Sequence, residues 1–271
     1  MTTLEQKLAT DYYTKTEVDA LLGAKRYVQV SVGGAFACGI RSDRSVVCWG
    51  SGVSQLTPPT GTFVQVSAGF GHACALRSDG TVACWGGNDN GQATPPDGTF
   101  VQVSAGLNQT CALRSDRTVA CWGITAQPPD GTFIQVAAAG YHSCGIRSDG
   151  TIACWGAEHT PPTGTFIQIT RGSGNGCGIR TDGTLACWGN NAAGEVIPPG
   201  GIFTQVALWS YHACGLRLNG TVACWGEDNY GQSTPPVGTF IQVDAGHEPS
   251  CGIRSDGTAV CWGYIQQQPP Q

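Results

Sequence analysis

Residues 61–97, GTFVQVSAGFGHACALRSDGTVACWGGNDNGQATPPD, contain the unit that decides the fold. The pattern FxQVxxG…CxxRSDGTxxCWG…PP recurs seven times between Arg26 and Gln271. The first cysteines of successive units lie 33 to 37 residues apart, and a fixed period of this length is the signature of a repeat architecture. We therefore predict seven repeats with the approximate bounds 26–60, 61–97, 98–130, 131–163, 164–200, 201–237 and 238–271.

Each repeat predicts β-strands joined by a tight hairpin. In the second repeat, FVQV alternates in polarity, and CALR and TVACW have high β-propensity on either side of Ser78, Asp79 and Gly80. A three-residue loop with Gly80 in the left-handed region places Cys74 directly opposite Cys84. Cysteines that face one another in a non-hydrogen-bonded pair lie about 4.5 Å apart at Cα, within the reach of a disulfide.

The chain has fourteen cysteines, and in every repeat the two are ten residues apart. We predict one disulfide within each repeat. The pairs are Cys38–Cys48, Cys74–Cys84, Cys111–Cys121, Cys144–Cys154, Cys177–Cys187, Cys214–Cys224 and Cys251–Cys261. The alternatives are free core thiols and zinc, although zinc sites favour cysteines separated by two to four residues. Seven disulfides would indicate an oxidising environment.

Two repeats depart from the turn chemistry, because Arg44 and Arg117 stand where the others have glycine. Either each arginine adopts the left-handed conformation at a cost of about 1 kcal/mol, or the loop takes another form. The cysteine spacing is unchanged in both repeats, so we expect the register to be kept.

The composition and the repeat ends favour a closed ring of blades. Charged residues make up 12% of the chain, and 40 glycines and 15 prolines favour short strands with many turns. Seven Pro-Pro pairs, from 58–59 to 269–270, mark the links between repeats. A solenoid would need polar capping repeats, whereas the first and last copies here match the middle ones. We predict an all-β fold, a seven-bladed β-propeller of three or four strands per blade over residues 26–271, with a short helical or coiled-coil arm at residues 1–25.

The predicted arm, residues 1–25, has apolar residues at helical spacing and a capping-box pattern at residues 14–17. The stretch DYYTKTEVDALL, residues 11–22, resembles segments of phage tail fibres, where such motifs join a trimeric stalk to a head. The resemblance implies a homo-oligomer, with a trimer favoured. The alternatives are a helix packed on its own propeller and a frayed terminus.

The segment GHACALRSDGTVACWGGNDNGQ, residues 71–92, resembles the regulator of chromosome condensation repeat. The short period is closest to that of the secreted, β-lactamase-inhibitor-like members. The resemblance extends from Arg26 to the end of the chain. It implies a seven-bladed propeller that binds other macromolecules, while the acidic pI of 5.4 and the cysteine pairs do not favour the nucleotide-exchange role of the nuclear members.

Two segments of each repeat vary while the rest is nearly constant. One precedes the first cysteine and the other follows CWG. In an up-and-down blade, both variable segments emerge on one face, and both constant turns emerge on the opposite face. Variable loops on a rigid scaffold are typical of binding surfaces, in which Tyr and Trp are favoured, although some of these aromatic residues could instead cap the core or plug the channel. The predicted ligand-binding residues are Phe70, His72, Asn108, Gln109, Tyr141, His142, Asn175, Trp209, Tyr211, His212, Tyr230 and Glu248.

Three further sets of residues recur at fixed positions. His72, His142 and His212 share one register position, but they stand two repeats apart, so we expect no metal site. The seven arginines represented by Arg77 are expected to pair with aspartates such as Asp79, and the alternative is an anion site. The seven glutamines are expected to line the central channel and to bond to each other and to water. They are Gln29, Gln65, Gln102, Gln135, Gln168, Gln205 and Gln242.

The net charge of −5 does not favour nucleic-acid binding, and the sequence has no run of 18 apolar residues that would span a membrane. No catalytic motif or acid–base–nucleophile cluster stands out, so we expect a protein without enzymatic activity or cofactor. The leading hypothesis is an extracellular, virion-surface or cell-surface module, a receptor-binding or lectin-like adhesin head that recognises a glycan or a protein receptor.

The alternatives are a protein–protein inhibitor or scaffold and, with less support, a polysaccharide hydrolase. Glycan binding predicts several similar shallow sites. Protein binding predicts one continuous patch centred on Trp209 and Tyr211.

Overall fold

The computed structural model describes residues 26–52, 56–140, 142–156 and 160–270. These residues form 21 β-strands in seven three-stranded antiparallel sheets, one sheet for each predicted repeat. The predicted arm at residues 1–25 lies outside the described residues. The strands, three per sheet, are β1 Tyr27–Val32, β2 Phe36–Arg41, β3 Val46–Gly50, β4 Phe63–Ala68, β5 His72–Arg77, β6 Val82–Gly86, β7 Phe100–Ala105, β8 Gln109–Arg114, β9 Val119–Gly123, β10 Phe133–Ala138, β11 Ser143–Arg147, β12 Ile152–Trp155, β13 Phe166–Arg171, β14 Asn175–Arg180, β15 Leu185–Gly189, β16 Phe203–Leu208, β17 His212–Arg217, β18 Val222–Gly226, β19 Phe240–Ala245, β20 Pro249–Arg254 and β21 Ala259–Gly263.

The hairpin register agrees with the prediction from the sequence. Cys74 faces Cys84 across β5 and β6, and the same pairing holds in all seven sheets. All fourteen cysteines form disulfides within their own repeats, with Cα atoms 4.0 to 4.1 Å apart. Gly80 has φ +85°, and Arg44 and Arg117 take the left-handed conformation as well, at +67° and +69°. The turn type is therefore kept with arginine in place of glycine.

Each blade has three strands, and the Pro-Pro segment that follows does not form a fourth. Proline has no N–H to donate to a ladder, so this segment runs as a link to the next repeat. This link nevertheless contacts the buried tryptophan of the next blade. The Gln92 carbonyl, in the segment after CWG of the second repeat, accepts a hydrogen bond from Trp122 Nε1 of the third repeat at 2.8 Å.

The core consists of seven separate clusters, one between each pair of neighbouring blades. In the cluster between the second and third blades, Cys74 and Leu76 pack against Phe100, Val103 and Trp122. Another cluster joins the seventh blade to the first, and it closes the ring. Among the described residues, no sheet combines strands from both ends of the chain. The ring therefore closes through side-chain packing and hydrogen bonds between the seventh and first blades.

The channel glutamines lie on the innermost strands as predicted, but their bonding partners differ from the expectation. Gln29 donates from Nε2 to the Val66 carbonyl at 2.9 Å, and its Oε1 accepts from the Val66 N–H at 2.8 Å. The same pair of bonds recurs around the ring except at Gln205, which only accepts from the Val243 N–H, and Gln242 makes both bonds with Val30 across the closure at 2.8 Å. The carboxamides therefore bond to the next blade's backbone rather than to each other, because that inner strand presents free donors and acceptors to the channel.

The recurring arginines also make contacts that the sequence did not predict. Arg147 stacks over the Phe133 ring, with Cζ 5.1 Å from its centroid, and donates from Nη1 to the Asp130 carbonyl at 3.0 Å. The carboxylate of Asp149 accepts instead from the backbone and the hydroxyl of Thr151, at 2.9 and 2.7 Å, and these bonds lower its pKa. The prediction that the aspartates pair mainly with the arginines was wrong, because the backbone and hydroxyl groups of the turn already donate hydrogen bonds to the carboxylate.

Candidate binding surface

Among the described residues, hydrogen bonds join the two variable segments on one face in five of the seven repeats. The loop before the first cysteine accepts from the segment after CWG, as in Gly87 N–H to the Gly71 carbonyl at 2.8 Å. The constant turn contacts the constant link of the next repeat, as in Phe100 N–H to the Gly80 carbonyl at 2.8 Å. We call the side with the variable segments the variable face and the opposite side the constant face.

A cavity of about 200 Å³ lies on the variable face at the end of the central channel, and we call it the mouth cavity. Six of the seven repeats contribute to its wall. The lining residues are Phe70, Leu107, Ala139, Gly140, Arg171, Gly172, Ser173, Trp209, Ser210, Tyr211 and His247. Arg171 and the half-buried Trp209 also line the channel below, so they stand at the boundary between the two spaces.

Three aromatic side chains from three repeats meet beside the mouth cavity. His247 lies edge-on to Phe70 at 5.9 Å and to Tyr211 at 6.4 Å between ring centroids. Phe70 extends to the seventh repeat because the first repeat has only small residues in its loop. A Cβ added to Gly34 would lie 2.6 Å from the Phe70 carbonyl oxygen and 3.1 Å from its ring. Phe70 and Tyr211 are 47% and 44% exposed, so the cluster presents apolar surface to solvent.

A second cavity of about 350 Å³ adjoins the first, and we call it the side groove. It lies over the first repeat and shares Phe70 and His247 with the mouth cavity. Glu248 is half-buried in its wall. At the outer rim, Tyr230 and Tyr264 contact one another at 5.5 Å. The aromatic surface of the described residues therefore lies on the sixth, seventh and second repeats, on either side of the small loop of the first repeat.

The predicted ligand residues fall into two groups. Phe70, Trp209, Tyr211 and Glu248 line the two cavities, and Tyr230 is exposed at the rim. Asn108 is half-buried on the variable face of the third repeat, away from this group. Tyr141 lies outside the described residues.

The second group is buried between blades. His72, Gln109, Asn175 and His212 are all 0% exposed, so the structure corrects their assignment as ligand contacts. His72 Nε2 lies 2.8 Å from Thr110 Oγ1 of the next repeat, and burial lowers its pKa to about 4, which keeps it neutral.

The other members of this group bond to the next repeat in the same way. His212 contacts Ser250 Oγ at 2.8 Å, Asn175 donates to the Ser210 carbonyl at 2.7 Å, and Gln109 donates to the His142 carbonyl at 3.0 Å. His142 is half-buried, and its Nε2 lies 3.2 Å from the Gly172 carbonyl oxygen. All of them stand two residues before a cysteine, on the strand side that packs against the next blade.

The sequence reasoning missed Arg171, the last residue of β13. Its side chain is 3% exposed and stacks over Trp188, with Cζ 5.6 Å from the ring centroid. Burial lowers its pKa to about 10. The other repeats have an aliphatic residue at this position, so an alignment of the seven inner strands would have found it. Those residues are Val32, Ala68, Ala105, Ala138, Leu208 and Ala245.

Within the described residues, no group of three or more His, Cys, Asp or Glu side chains is arranged to hold a metal ion. No helix in this part of the chain is long and apolar enough to cross a membrane.

The family profile of the regulator of chromosome condensation (RCC1) repeat matches residues 27–54, 63–92, 133–159 and 203–232. These segments fall in four of the seven repeats. No curated protein matches the chain in sequence.

Solved structures with the same architecture include two plant receptor ectodomains. The entire ectodomain of the receptor kinase CR4 from Physcomitrella patens is 28% identical with a TM-score of 0.77, over 89% of this chain and 74% of that one. The CRINKLY WD40 ectodomain of the receptor kinase ACR4 from Arabidopsis thaliana is 25% identical, also with a TM-score of 0.77, over 91% of this chain and 100% of that one.

Prp20p from Saccharomyces cerevisiae is 17% identical with a TM-score of 0.66, over 93% of this chain and 84% of that one, and this likeness concerns the fold alone. Four of the seven repeats therefore match the RCC1 repeat profile, and the disulfide-linked seven-bladed fold is similar to these propellers.

Proposed function

We propose that this propeller is an extracellular receptor-binding module that holds a protein partner against its variable face. Seven disulfides are typical of an oxidising compartment outside the cytosol. The two plant ectodomains, which belong to receptor kinases, support the same location. The proposal is for binding rather than catalysis because the sequence has no recognised catalytic motif.

The shape of the surface favours a protein over a glycan as the partner. Repeated shallow sites, one in each blade, would suit a multivalent lectin. The aromatic cluster of Phe70, Tyr211 and His247 instead occurs once among the described residues, and it joins the mouth cavity to the side groove. A single apolar patch with aromatic anchors beside a pocket is how energetic hot spots of protein interfaces are built. This one observation carries the proposal.

Oligomerisation through residues 1–25 is a separate proposal that rests on the sequence of those residues. A trimer would hold three variable faces together, and weak single contacts would then gain in avidity. The lectin-like function differs from the proposed one in the class of partner, and the inhibitor-like function differs in the effect of binding on that partner. Both are therefore outcomes of the same experiment.

The test is a binding screen of the purified protein against an array of secreted and cell-surface ectodomains, with a glycan array in parallel. Three forms are compared: wild type, a variable-face triple variant and a constant-face triple variant. The first variant is Phe70→Ala, Tyr211→Ala and His247→Ala. The second removes exposed apolar side chains of the constant face, Ile202→Ala, Leu218→Ala and Val237→Ala.

We expect at least one ectodomain to bind wild type and the constant-face variant equally. The variable-face variant should bind about 100-fold more weakly, since two or three hot-spot truncations together cost roughly 3 kcal/mol. Binding that survives the variable-face substitutions but is lost in the constant-face variant would overturn the proposal. A signal from glycans alone would favour the lectin function instead.

A further inference from the structure

Among the described residues, arginine is the only strongly basic residue, and all but one of the arginines lie on the constant face. Seven of them, such as Arg77, end the middle strand of a blade directly before the constant turn. Arg44 and Arg117 lie within such turns, and the Arg26 carbonyl accepts from the N–H of Ser42 in the first turn at 2.8 Å. Aspartates of the constant turns and links accompany these arginines, so the constant face carries both signs of charge. They are Asp43, Asp79, Asp97, Asp116, Asp130, Asp149, Asp182 and Asp256.

The accessible fixed charge of the variable face is entirely negative within the described part of the chain. Arg171 is the one arginine near this face, and it is 3% exposed and stacks on Trp188. Four carboxylates of the variable segments are accessible to solvent. They are those of Asp89 and Asp228, which are exposed, and of Glu227 and Glu248, which are half-buried. No described lysine or arginine is therefore accessible on this face to neutralise them.

Two of these carboxylates lie beside Tyr211 in the sixth repeat. The Glu227 N–H donates to the Tyr211 carbonyl at 2.8 Å. Burial lowers the pKa of the next residue, His212, to about 4, and two smaller electrostatic effects come from His247, which lowers this pKa, and from Asp228, which raises it. Both side chains are thus close enough to His212 to act on it. The acidic segment of the sixth repeat therefore adjoins the contact between Tyr211 and His247.

The other two carboxylates belong to the seventh and second repeats, which supply the remaining aromatic side chains of the cluster. Glu248 directly follows His247 and lines the side groove together with Phe70. Asp89 lies in the segment after CWG that is hydrogen-bonded to the loop holding Phe70. Among the described residues, the first, third and fifth repeats have no accessible carboxylate on this face, and Glu158 of the fourth lies outside them. The accessible acidic residues therefore accompany the aromatic cluster.

An apolar centre with a charged rim is the usual anatomy of a protein interface. A rim of one sign attracts partners of the opposite sign and repels partners of the same sign, and it acts mainly on the association rate and on specificity. Each exposed ion pair adds little affinity alone, so the effect depends on several charges acting together. The charge of this rim selects a positively charged partner.

We propose that the protein partner presents a basic surface in which lysine or arginine side chains surround an apolar anchor. The anchor contacts Phe70, Tyr211 and His247, and the basic side chains lie against the carboxylates of the sixth, seventh and second repeats. This inference rests on the proposed function, since it takes the partner to be a protein that binds the variable face. Acidic proteins are disfavoured on this face by repulsion, and a second copy of this chain, with its net charge of −5, is one of them.

The test compares wild type with two variants that lose the same number of negative charges from opposite faces. The variable-face amide variant carries Asp89→Asn, Glu227→Gln, Asp228→Asn and Glu248→Gln. The constant-face amide variant carries Asp97→Asn, Asp130→Asn, Asp149→Asn and Asp182→Asn. Because the net charge of the two variants is equal, a difference in their binding reports the position of the charges and not their number.

Amide side chains already occupy equivalent positions elsewhere in the chain. Asn88 stands at the position of Asp228, and its Oδ1 accepts from the Ala93 N–H at 2.9 Å, as Asp228 Oδ1 accepts from the equivalent serine N–H at 2.7 Å. Asn219 stands at the position of the turn aspartates and accepts from the Thr221 N–H at 3.1 Å. Both amide variants should therefore fold, and their unfolding temperatures check this.

The first test uses small probes and needs no identified partner. Three acetylated and amidated peptides, KRWLRK, QQWLQQ and EEWLEE, share an apolar centre and differ in charge. Chitohexaose, an oligomer of glucosamine, represents a cationic sugar. Binding to each protein is measured by titration calorimetry at neutral pH, in about 20 mM and in about 300 mM NaCl, because salt screens exposed charges.

At low salt, we expect the basic peptide to bind wild type and the constant-face amide variant saturably, at least tenfold more tightly than the neutral peptide. The variable-face amide variant should lose this preference, and wild type should lose most of it at high salt. Equal binding of the basic and neutral peptides to wild type, no saturable binding, or a preference that survives in the variable-face amide variant would overturn the inference. Tighter binding of chitohexaose than of the basic peptide would replace the basic protein surface with a cationic polysaccharide.

The second test separates this inference from the proposed function. With an ectodomain recovered from the array, the variable-face amide variant should weaken binding at least tenfold, and the constant-face amide variant should leave it unchanged. If the ectodomain binds the variable-face amide variant as it binds wild type but does not bind the variable-face triple variant, the inference fails and the proposed function stands. If no protein binds the variable face at all, the proposed function fails and this inference fails with it.

Discussion

Replacing Arg171 with methionine should stabilise the free protein. Methionine keeps an unbranched chain over Trp188 and removes the charge. Burial alone lowers the pKa of Arg171 to about 10, and this change corresponds to a cost of roughly 3 kcal/mol for keeping the group charged at neutral pH. The cation–π contact with Trp188 returns about 1–2 kcal/mol, so the net gain of R171M is about 1–2 kcal/mol.

Calorimetric unfolding at neutral pH with the disulfides intact measures this gain. For a chain of this size, 1 kcal/mol shifts the unfolding temperature by roughly 2–4 °C, so R171M should unfold about 2–8 °C higher than wild type. The control R217M should unfold at or below the wild-type temperature, because Arg217 is solvent-accessible and stacks on Phe203. A fall in the unfolding temperature of R171M would refute the reasoning, since it would mean that the buried charge is already compensated in the free protein.

Three further predictions concern the ring closure, the turns and the arm. Burial raises the pKa of Asp244 to about 6 in the folded protein, so its contribution to stability is fully present below about pH 4 and is lost as the pH rises through 6. In urea unfolding, the free energy of unfolding of wild type should therefore include a fall of at most about 3 kcal/mol from Asp244 between pH 4.5 and 7.5. Asp244→Asn should remove this fall, and a variant with the same pH profile as wild type would contradict the prediction. Arg44→Gly and Arg117→Gly should each stabilise the fold by about 1 kcal/mol in the same assay, whereas Gly80→Arg should destabilise it by a similar amount. Deletion of residues 1–25 should reduce the mass measured by light scattering from that of a trimer to that of a monomer, and an equal oligomeric state with and without them would exclude the arm as the oligomerisation element.

The fold was predictable because one local relation recurs in every repeat. The loop between Cys74 and Cys84 fixes the hairpin register, and this register places the two cysteines opposite one another. Because successive strands run in opposite directions, each turn can then be assigned to one face of the propeller. None of these steps needs contacts between repeats. The exposed aromatics Phe70, Tyr211 and Tyr230 could be found in the same way, because they replace small or polar residues in loops.

Contacts between blades were not predictable from one repeat alone. His72 stands in a variable segment, which suggested exposure, yet it lies two residues before Cys74 and shares the buried side of that strand. Gln65 was placed correctly in the channel, but its partner, the Val103 backbone, is known only once the next blade is in position. Arg171 was missed because it ends an inner strand whose pattern is otherwise constant.

Disulfide mapping of the unfolded but unreduced protein tests the hairpin register, on which the assignment of the variable and constant faces depends. Trypsin cleaves at the arginine between the two cysteines of each repeat, as at Arg77, and chymotrypsin cleaves after the aromatic residue that begins each inner strand, as at Phe63. The two digestions together separate the seven units while leaving any disulfide intact. Seven pairs of peptides, each joining cysteines ten residues apart, are the predicted result. Free thiols, or peptides joined across different repeats, would contradict the register and with it the assignment of the variable face.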